Sequence, residues 1–396
     1  MEPREAMTTL FGRRWTRAEL EARFGSLSQV AGVSLVTLSD GAERGVRAVL
    51  FQTGSGLEFW VLVDRGFDIA KCRFRGVELG WQSPVGIRAP WFHEVNDEGG
   101  ASFLRSFSGF MVTCGLDHAG APYRDSAGRY FAPDRTAIDQ PLHGRITALP
   151  GQLVAYGHEW RGDRCVLFCE GVVKQAAVFG EHLVLTRRYE TEVGADSFTV
   201  RDHIRNHSFF TTPHMLLYHI NLGFPLLDEG AEFVVPTRGV RWAFRDSTRE
   251  GIGYRFQAQP HYDCVEQVYV HDVAADSEGA LRAALINRTW EEGAGLGVAV
   301  EFNRSQLPYL NQWQNFQAGS YCMAIEPSTC HALGRPHAEA HGELAWLKHG
   351  DERTYELRFS VLKTQSEIAR FEAAVRNAAP EILDNFAAPR EGFGQS

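Results

Sequence analysis

The chain has 396 residues, a formal net charge of −9 and 44% hydrophobic residues, so it can bury a large core in about one to three domains. The acidic balance and scattered Lys and Arg exclude a nucleic-acid surface, and no apolar run reaches the length of a membrane span. The charged start MEPREAMTTLFGRRW lacks an apolar h-region, so no secretory signal is expected.

The seven cysteines (72, 114, 165, 169, 264, 322 and 330) fall without regular spacing, mostly inside apolar runs such as RCVLFCE, and form no CxxC pair. They read as small core residues in a reducing, cytoplasmic compartment, which excludes a disulfide framework and a zinc ribbon.

In chain order, Thr16–Phe24 reads as a short amphipathic helix with Thr16 as N-cap and Glu19 three positions on. The texture then changes. Val33–Leu38, Val46–Gln52 and Leu57–Val63 are short Val-, Leu- and aromatic-rich runs separated by Ser- and Gly-containing turns, as in consecutive antiparallel strands. Trp91–Gly100 is a polar surface loop placed to border a ligand cleft. Strand-like runs recur at Leu153–Trp160, Cys165–Val172, Leu183–Val193, Ser197–Asn206, Glu232–Val235, Glu266–Val270, Leu281–Asn287, Leu296–Phe302, Leu344–Leu347 and Thr354–Leu362. Helical spacing returns at Ser366–Asn377, and the tail after Asn385 is expected to fray. With no repeat, charge block or linker, the fold class is mainly β. Residues 1–30 form a helical extension, 31–363 one large antiparallel β-sandwich, and 364–396 a C-terminal helix and tail.

Two stretches carry candidate chemistry. Thr211–Pro225, TTPHMLLYHINLGFP, reads as a buried strand with two histidines. An offset of five residues puts His214 and His219 on opposite faces, and His219, near the strand's end beside Asn221, is the better site candidate. In Tyr321–Arg335, Glu326 closes a strand-like run before Pro327, which holds it extended. It is either a solvated strand-end carboxylate or one placed at a cleft mouth to take a proton.

Further pieces are His143 in Leu142-His143-Gly144, where glycine lets backbone approach a ligand closely, and Arg65 and Arg105, which either meet substrate or bridge a carboxylate. Trp81, Trp91, Trp242, Trp313 and Phe316 offer flat apolar surfaces. Among them Trp313 stands within the amides Asn311, Gln312, Gln314 and Asn315, a pattern that suits a polar cleft.

The order Leu142-His143-Gly144, strand-end histidine, Ile325-Glu326-Pro327 resembles the galactose mutarotase-like (aldose 1-epimerase) superfamily. VDRGFDIA, LLYHINLGFPLLD and AIEPST resemble its DUF4432 branch, from about Val33 to Leu362. The resemblance implies a large antiparallel β-supersandwich and a ring-opening mechanism. Glu326 would be the general base and His219 the general acid, with His143 and Arg105 holding sugar hydroxyls and no cofactor or metal. The chain departs from the pattern after His219, where Ile220-Asn221-Leu222-Gly223 replaces a small residue, an aromatic pair and Asn. That keeps His214 as a rival acid. The family's further substrate-binding aspartate has no clear match, and His271-Asp272 is the nearest.

The function expected is a cytosolic mutarotase, an isomerase of carbohydrate metabolism whose partner is a small carbohydrate and not nucleic acid or membrane. A homodimer is left open. The alternatives are a non-catalytic carbohydrate-binding protein on the same scaffold, or a metal-dependent enzyme on an unusual or oxidised sugar. The latter would draw ligands from His118, His143, His214, His219, His271 and Glu326.

Overall fold

Burial along the strands divides them into two kinds. His182–Glu192 alternates strictly between buried and half-exposed positions, so one face meets the core and the other meets water. Thr212–Leu222 and Cys322–Ser328 are buried at every position and are therefore covered on both faces. A computed structural model describes residues 7–131, 135–244, 253–379, 381 and 383–385. The expected frayed tail after Asn385 lies outside them.

The principal strands, in chain order, are β1 Gly32–Thr37, β2 Arg47–Gln52, β3 Leu57–Leu62, β4 Asp68–Phe74, β5 Met111–Leu116, β6 Gly151–Arg161, β7 Arg164–Ala176, β8 His182–Glu192, β9 Ser197–Asn206, β10 Thr212–Leu222, β11 Glu232–Val234, β12 Thr237–Phe244, β13 Gln267–Val273, β14 Ala280–Asn287, β15 Leu296–Asn303, β16 Tyr309–Asn315, β17 Cys322–Ser328 and β18 Glu352–Leu362. They form two large antiparallel sheets. One runs β6-β7-β8-β9-β18-β15-β14-β11. The other runs β12-β13-β16-β17-β10-β5-β4-β3-β2-β1, with Ala345–Leu347 added beside β10 and Val77–Glu78 beside β4. The mainly β, large antiparallel fold expected from the sequence is the fold observed. β4, β5, β12 and β16 were not foreseen. A hairpin, Thr8–Leu10 with Arg13–Trp15, precedes α1 (Arg17–Glu21), a shorter helix than expected but with the Thr16/Glu19 capping box in place.

The core lies between the sheets. Phe59, Phe198 and Phe359 stack there beside Tyr189 and Phe110. A polar tie crosses it. Arg187 on β8 donates two bonds to Asp202 at 2.7 and 2.6 Å and one to Asp68, at the head of β4, at 3.0 Å. Tyr218 on β10 donates to Asp202 at 2.6 Å. α2 (Arg335–Ala340) follows β17. α3 (Gln365–Ala378), capped by Thr364, lays Ile368 and Val375 on Ala284, Ile286, Ala299 and Leu362, on the outer face of the eight-stranded sheet.

Candidate active site

Strand parity decides which way each candidate histidine of β10 faces. The even positions point into the sandwich, where His214 Nε2 meets Tyr355 Oη at 2.8 Å and its Nδ1 meets the Leu116 carbonyl at 2.9 Å. Its two ring nitrogens are thus taken up between the sheets, and His214 is not the rival acid. His219 lies on the other face. The pairings Leu217 with Ser328 and Ile220 with Ile325 put it directly opposite Glu326 on β17, and His219 Nε2 lies 3.1 Å from Glu326 Oε1. Both side chains are almost fully enclosed.

The tautomer follows from the surroundings. The Asn221 amide donates to the Gly109 carbonyl at 2.9 Å, so its Oδ1 turns to His219 and accepts from Nδ1–H at 2.5 Å. That leaves Nε2 for Glu326. Burial, then the nearby Glu266, raises the Glu326 carboxyl to about 8. Burial lowers His219 to about 4. Phe107 and Trp313 stand edge-on to the His219 ring at 4.8 and 5.3 Å between centroids and account for its dry setting. Near neutral pH the pair therefore holds one proton, stored on Glu326 with His219 neutral.

The pair forms the floor of a cleft of about 280 Å³ lined by Phe103, Leu104, Phe107, Leu142, His143, Glu266, Val268, Trp313 and the loop residues Ala121, Ala332 and Leu333, among others. That volume is at the small end of the range for small-molecule sites. His143 is in the wall, its ring 5.8 Å from that of His219. Burial, then His219, lowers it to about 3. Its Nδ1 accepts from Gly120 N–H at 3.4 Å, so the neutral ring carries its proton on Nε2. His143 has a φ of +59° and Gly144 one of +78°. A Cβ on Gly144 would stand 2.2 Å from the Gly115 carbonyl, so this glycine serves packing against backbone and not ligand approach.

Four other expectations meet a different placement. Arg65 is buried away from the cleft, donating to the carbonyls of Thr147 at 2.8 Å, Arg88 at 2.7 Å and Ser106 at 3.4 Å. Arg105 is exposed and donates to Glu98 at 2.8 Å, while its neighbour Leu104 lines the cleft. His271 sits on the core face of β13 among Phe233 and Tyr254, bonded to Gln312 at 2.9 Å. Of the amides around Trp313, Asn311, Gln312 and Gln314 are buried and Asn315 is half-exposed. Gln312 and Gln314 donate to the carbonyls of Tyr254 and Gly253 and Asn311 to Ser328 Oγ, so Trp313 alone of that group faces the cleft. Trp81 joins it at 6.2 Å; Phe316 is core, Trp91 is exposed, and the Trp242 side chain is outside those described.

The carboxylate that the sequence reading missed is Glu266, which accepts Trp313 Nε1–H at 2.9 Å. Its signal was its place two residues before Val268, just ahead of β13, where extended backbone puts both on the cleft face. A more open groove of about 520 Å³ lies beside α3, lined by Arg282, Glu301, Arg358 and Arg370 among others, and contains no comparable acid–base pair.

The sheet order and the cleft define a galactose mutarotase-like fold. The chain belongs to the family described as a domain of unknown function, DUF4432, whose pattern its residues 43–361 match. Among solved structures, a candidate aldose 1-epimerase from Klebsiella pneumoniae subsp. pneumoniae MGH 78578 is similar over 91% of this chain and 90% of its own, at 24% identity and a TM-score of 0.80. A galactose mutarotase-like protein from Clostridium acetobutylicum (13% identity, 84% of this chain and 98% of its own, TM-score 0.53) and the galactose 1-epimerase of Lactobacillus acidophilus NCFM (12%, 84% and 99%, TM-score 0.50) share the fold. No curated protein matches the chain in sequence. No helix among the described residues is long and apolar enough to cross a membrane.

Proposed function

We propose that the protein is a mutarotase of the aldose 1-epimerase type, a cytoplasmic isomerase of carbohydrate metabolism acting on a neutral monosaccharide. The observation that carries this reading is the enclosed His219–Glu326 pair, 3.1 Å apart at the floor of a small aromatic-walled cleft. In ring opening, the stored proton first passes from Glu326 Oε1 to His219 Nε2, 3.1 Å away; the ionised Glu326 then takes the proton of the anomeric hydroxyl, C1–O1 becomes a carbonyl, and the C1–O5 bond breaks. O5 then takes the proton from His219 Nε2. Rotation about C1–C2 and reclosure by the reverse transfers give the other anomer.

The pair passes from carboxylate and imidazolium to carboxylic acid and imidazole. These forms differ only in the position of one proton, and the second is the form in which the free cleft stores it. His143 Nε2–H is a donor for a sugar hydroxyl and Glu266 an acceptor. Trp313 and Phe107 give apolar faces for ring C–H groups. The lining holds two carboxylates, Glu266 and Glu326, and no Lys or Arg among the described residues. A phosphate or uronate carboxylate would be buried there without a counter-charge, which favours a neutral sugar.

The test is anomer-exchange NMR on a panel of free aldoses, uronates and sugar phosphates, with Glu326→Gln beside the wild type. Wild-type acceleration on a neutral aldose, absent in the variant, is the expected result. Line broadening by both proteins with no accelerated exchange on any sugar would overturn the catalytic reading in favour of a binding protein.

A further inference from the structure

On the outer side of the cleft wall, His331, His337 and Glu343 converge. One ligand atom from each lies within 4.8 Å of the other two, and they are the one such group of three among the described residues. The six residues His118, His143, His214, His219, His271 and Glu326 do not converge in this way. Two imidazoles and a carboxylate are a donor set suited to Zn²⁺, with a fourth position for water.

The arrangement is a built one. Side-chain exposures are only 10%, 13% and 5% for His331, His337 and Glu343. Glu343 Oε1 is 2.5 Å from His331 Nδ1 and 3.9 Å from His337 Nε2. Its other oxygen, Oε2, accepts the backbone N–H of His331 at 3.0 Å, which fixes the carboxylate and leaves Oε1 for a shared ligand. The His337 ring is flanked by that of His341, stacked at 3.9 Å, and the His331 ring by that of Tyr309 at 4.5 Å.

The proton between His331 Nδ1 and Glu343 Oε1 joins two atoms that a cation would join instead. Bonds of about 2.0–2.1 Å would open that gap to roughly 3.3 Å, a small rotamer adjustment.

We propose that His331, His337 and Glu343 form a Zn²⁺ site that ties the loop after β17 to the segment after α2. The position gives the ion a purpose apart from the reaction. His331 is followed by Ala332 and Leu333, both in the cleft wall. Ala332 N–H is already pinned to Asn311 Oδ1 at 3.3 Å. Gly334 packs on Gly120 so closely that a Cβ on Gly120 would stand 2.4 Å from the Gly334 nitrogen. A metal clamp on this loop would therefore stiffen one side of the sugar cleft without touching the acid–base pair.

The experiment is a titration of chelator-stripped full-length protein with zinc sulfate against a chromophoric chelator. Wild type would be compared with Glu343→Gln, His337→Ala and Glu326→Gln. The site predicts about one equivalent of zinc per chain, with affinity reduced about tenfold or more in Glu343→Gln and His337→Ala and kept in Glu326→Gln. Hydrogen exchange across residues 329–343 should slow on zinc addition in wild type alone of the first three proteins. Binding well below one equivalent, or binding unaltered by the first two substitutions, would overturn the site. So would loss of zinc in Glu326→Gln, which would put the ion in the cleft. His337 lies on the short helix α2, away from the sandwich core, and its variant decides the matter where Glu343→Gln does not fold.

Discussion

His219 Nδ1–H is committed to Asn221 Oδ1, so a proton shared with Glu326 has only Nε2 and Oε1 to choose between. Catalysis by the pair needs one proton on it, neither none nor two. Below about pH 4 His219 gains a second proton and no base remains. Above about pH 8 Glu326 loses the only one and no acid remains. The expected kcat/KM profile for anomer exchange is a bell with limbs near those values. Asn221→Asp would place a carboxylate on Nδ1–H and move the acid limb to higher pH; a profile that shows no fall below pH 4 or above pH 8 in the wild type and no shifted acid limb in the variant would remove the pair from the mechanism. Parity alone told His219 from His214, because one residue of offset changes the face of a strand. The fates of Arg65 and Arg105 were not legible, since their acceptors on residues 147, 88, 106 and 98 belong to loops whose paths no local pattern sets.

At the scale of elements, the site exists because β10 and β17 are neighbours in one sheet and are covered on both faces. Alternation made most of the two-sheet architecture readable: β7, β8, β9 and β18 bury about every second residue over most of their length, and the edge strand β6 alternates between exposed and half-exposed positions. β16 was not readable as a strand, because Tyr-Leu-Asn-Gln-Trp-Gln-Asn carries amides where a buried strand usually carries aliphatics. The side chains of Gln312, Gln314 and Asn311 find the carbonyls of Tyr254 and Gly253, His271 and Ser328, partners that no local pattern announces. The other unforeseen tie is Arg187, which holds β8 and β9 to β4 beside β10. Arg187→Met would leave Asp68 and Asp202 as buried charges without their partner. The expected loss is about 3–5 kcal/mol of unfolding free energy in urea. A loss under about 1 kcal/mol would mean that the two carboxyls simply take up protons when the arginine is absent.

For the molecule as a whole, the same burial that tunes the site sets the response to acid. His118, His214, His219 and His271 are lowered by burial to about 4 and His143 to about 3, against 6.5 for an exposed ring. Between about pH 6.5 and 4 the unfolded chain binds protons at these rings and the native chain does not, so stability falls as pH falls through that window. Glu326 acts in the opposite sense. Its raised value means the native state keeps a proton that the unfolded state releases, so its contribution falls as pH rises from about 4.5 to 8. Glu326, with Glu181 raised by burial in the same sense, opposes the histidines below pH 6.5 and acts without them above it. The melting temperature should therefore peak near pH 6.5, drop steeply toward pH 5 and decline only shallowly toward pH 8. Calorimetry across that range checks the shape, and His214→Gln separates the causes. That substitution removes a buried neutral ring that bridges Leu116 and Tyr355, so it should lower the peak while making the acid limb less steep. An acid limb of unchanged slope would place the acid sensitivity in other groups.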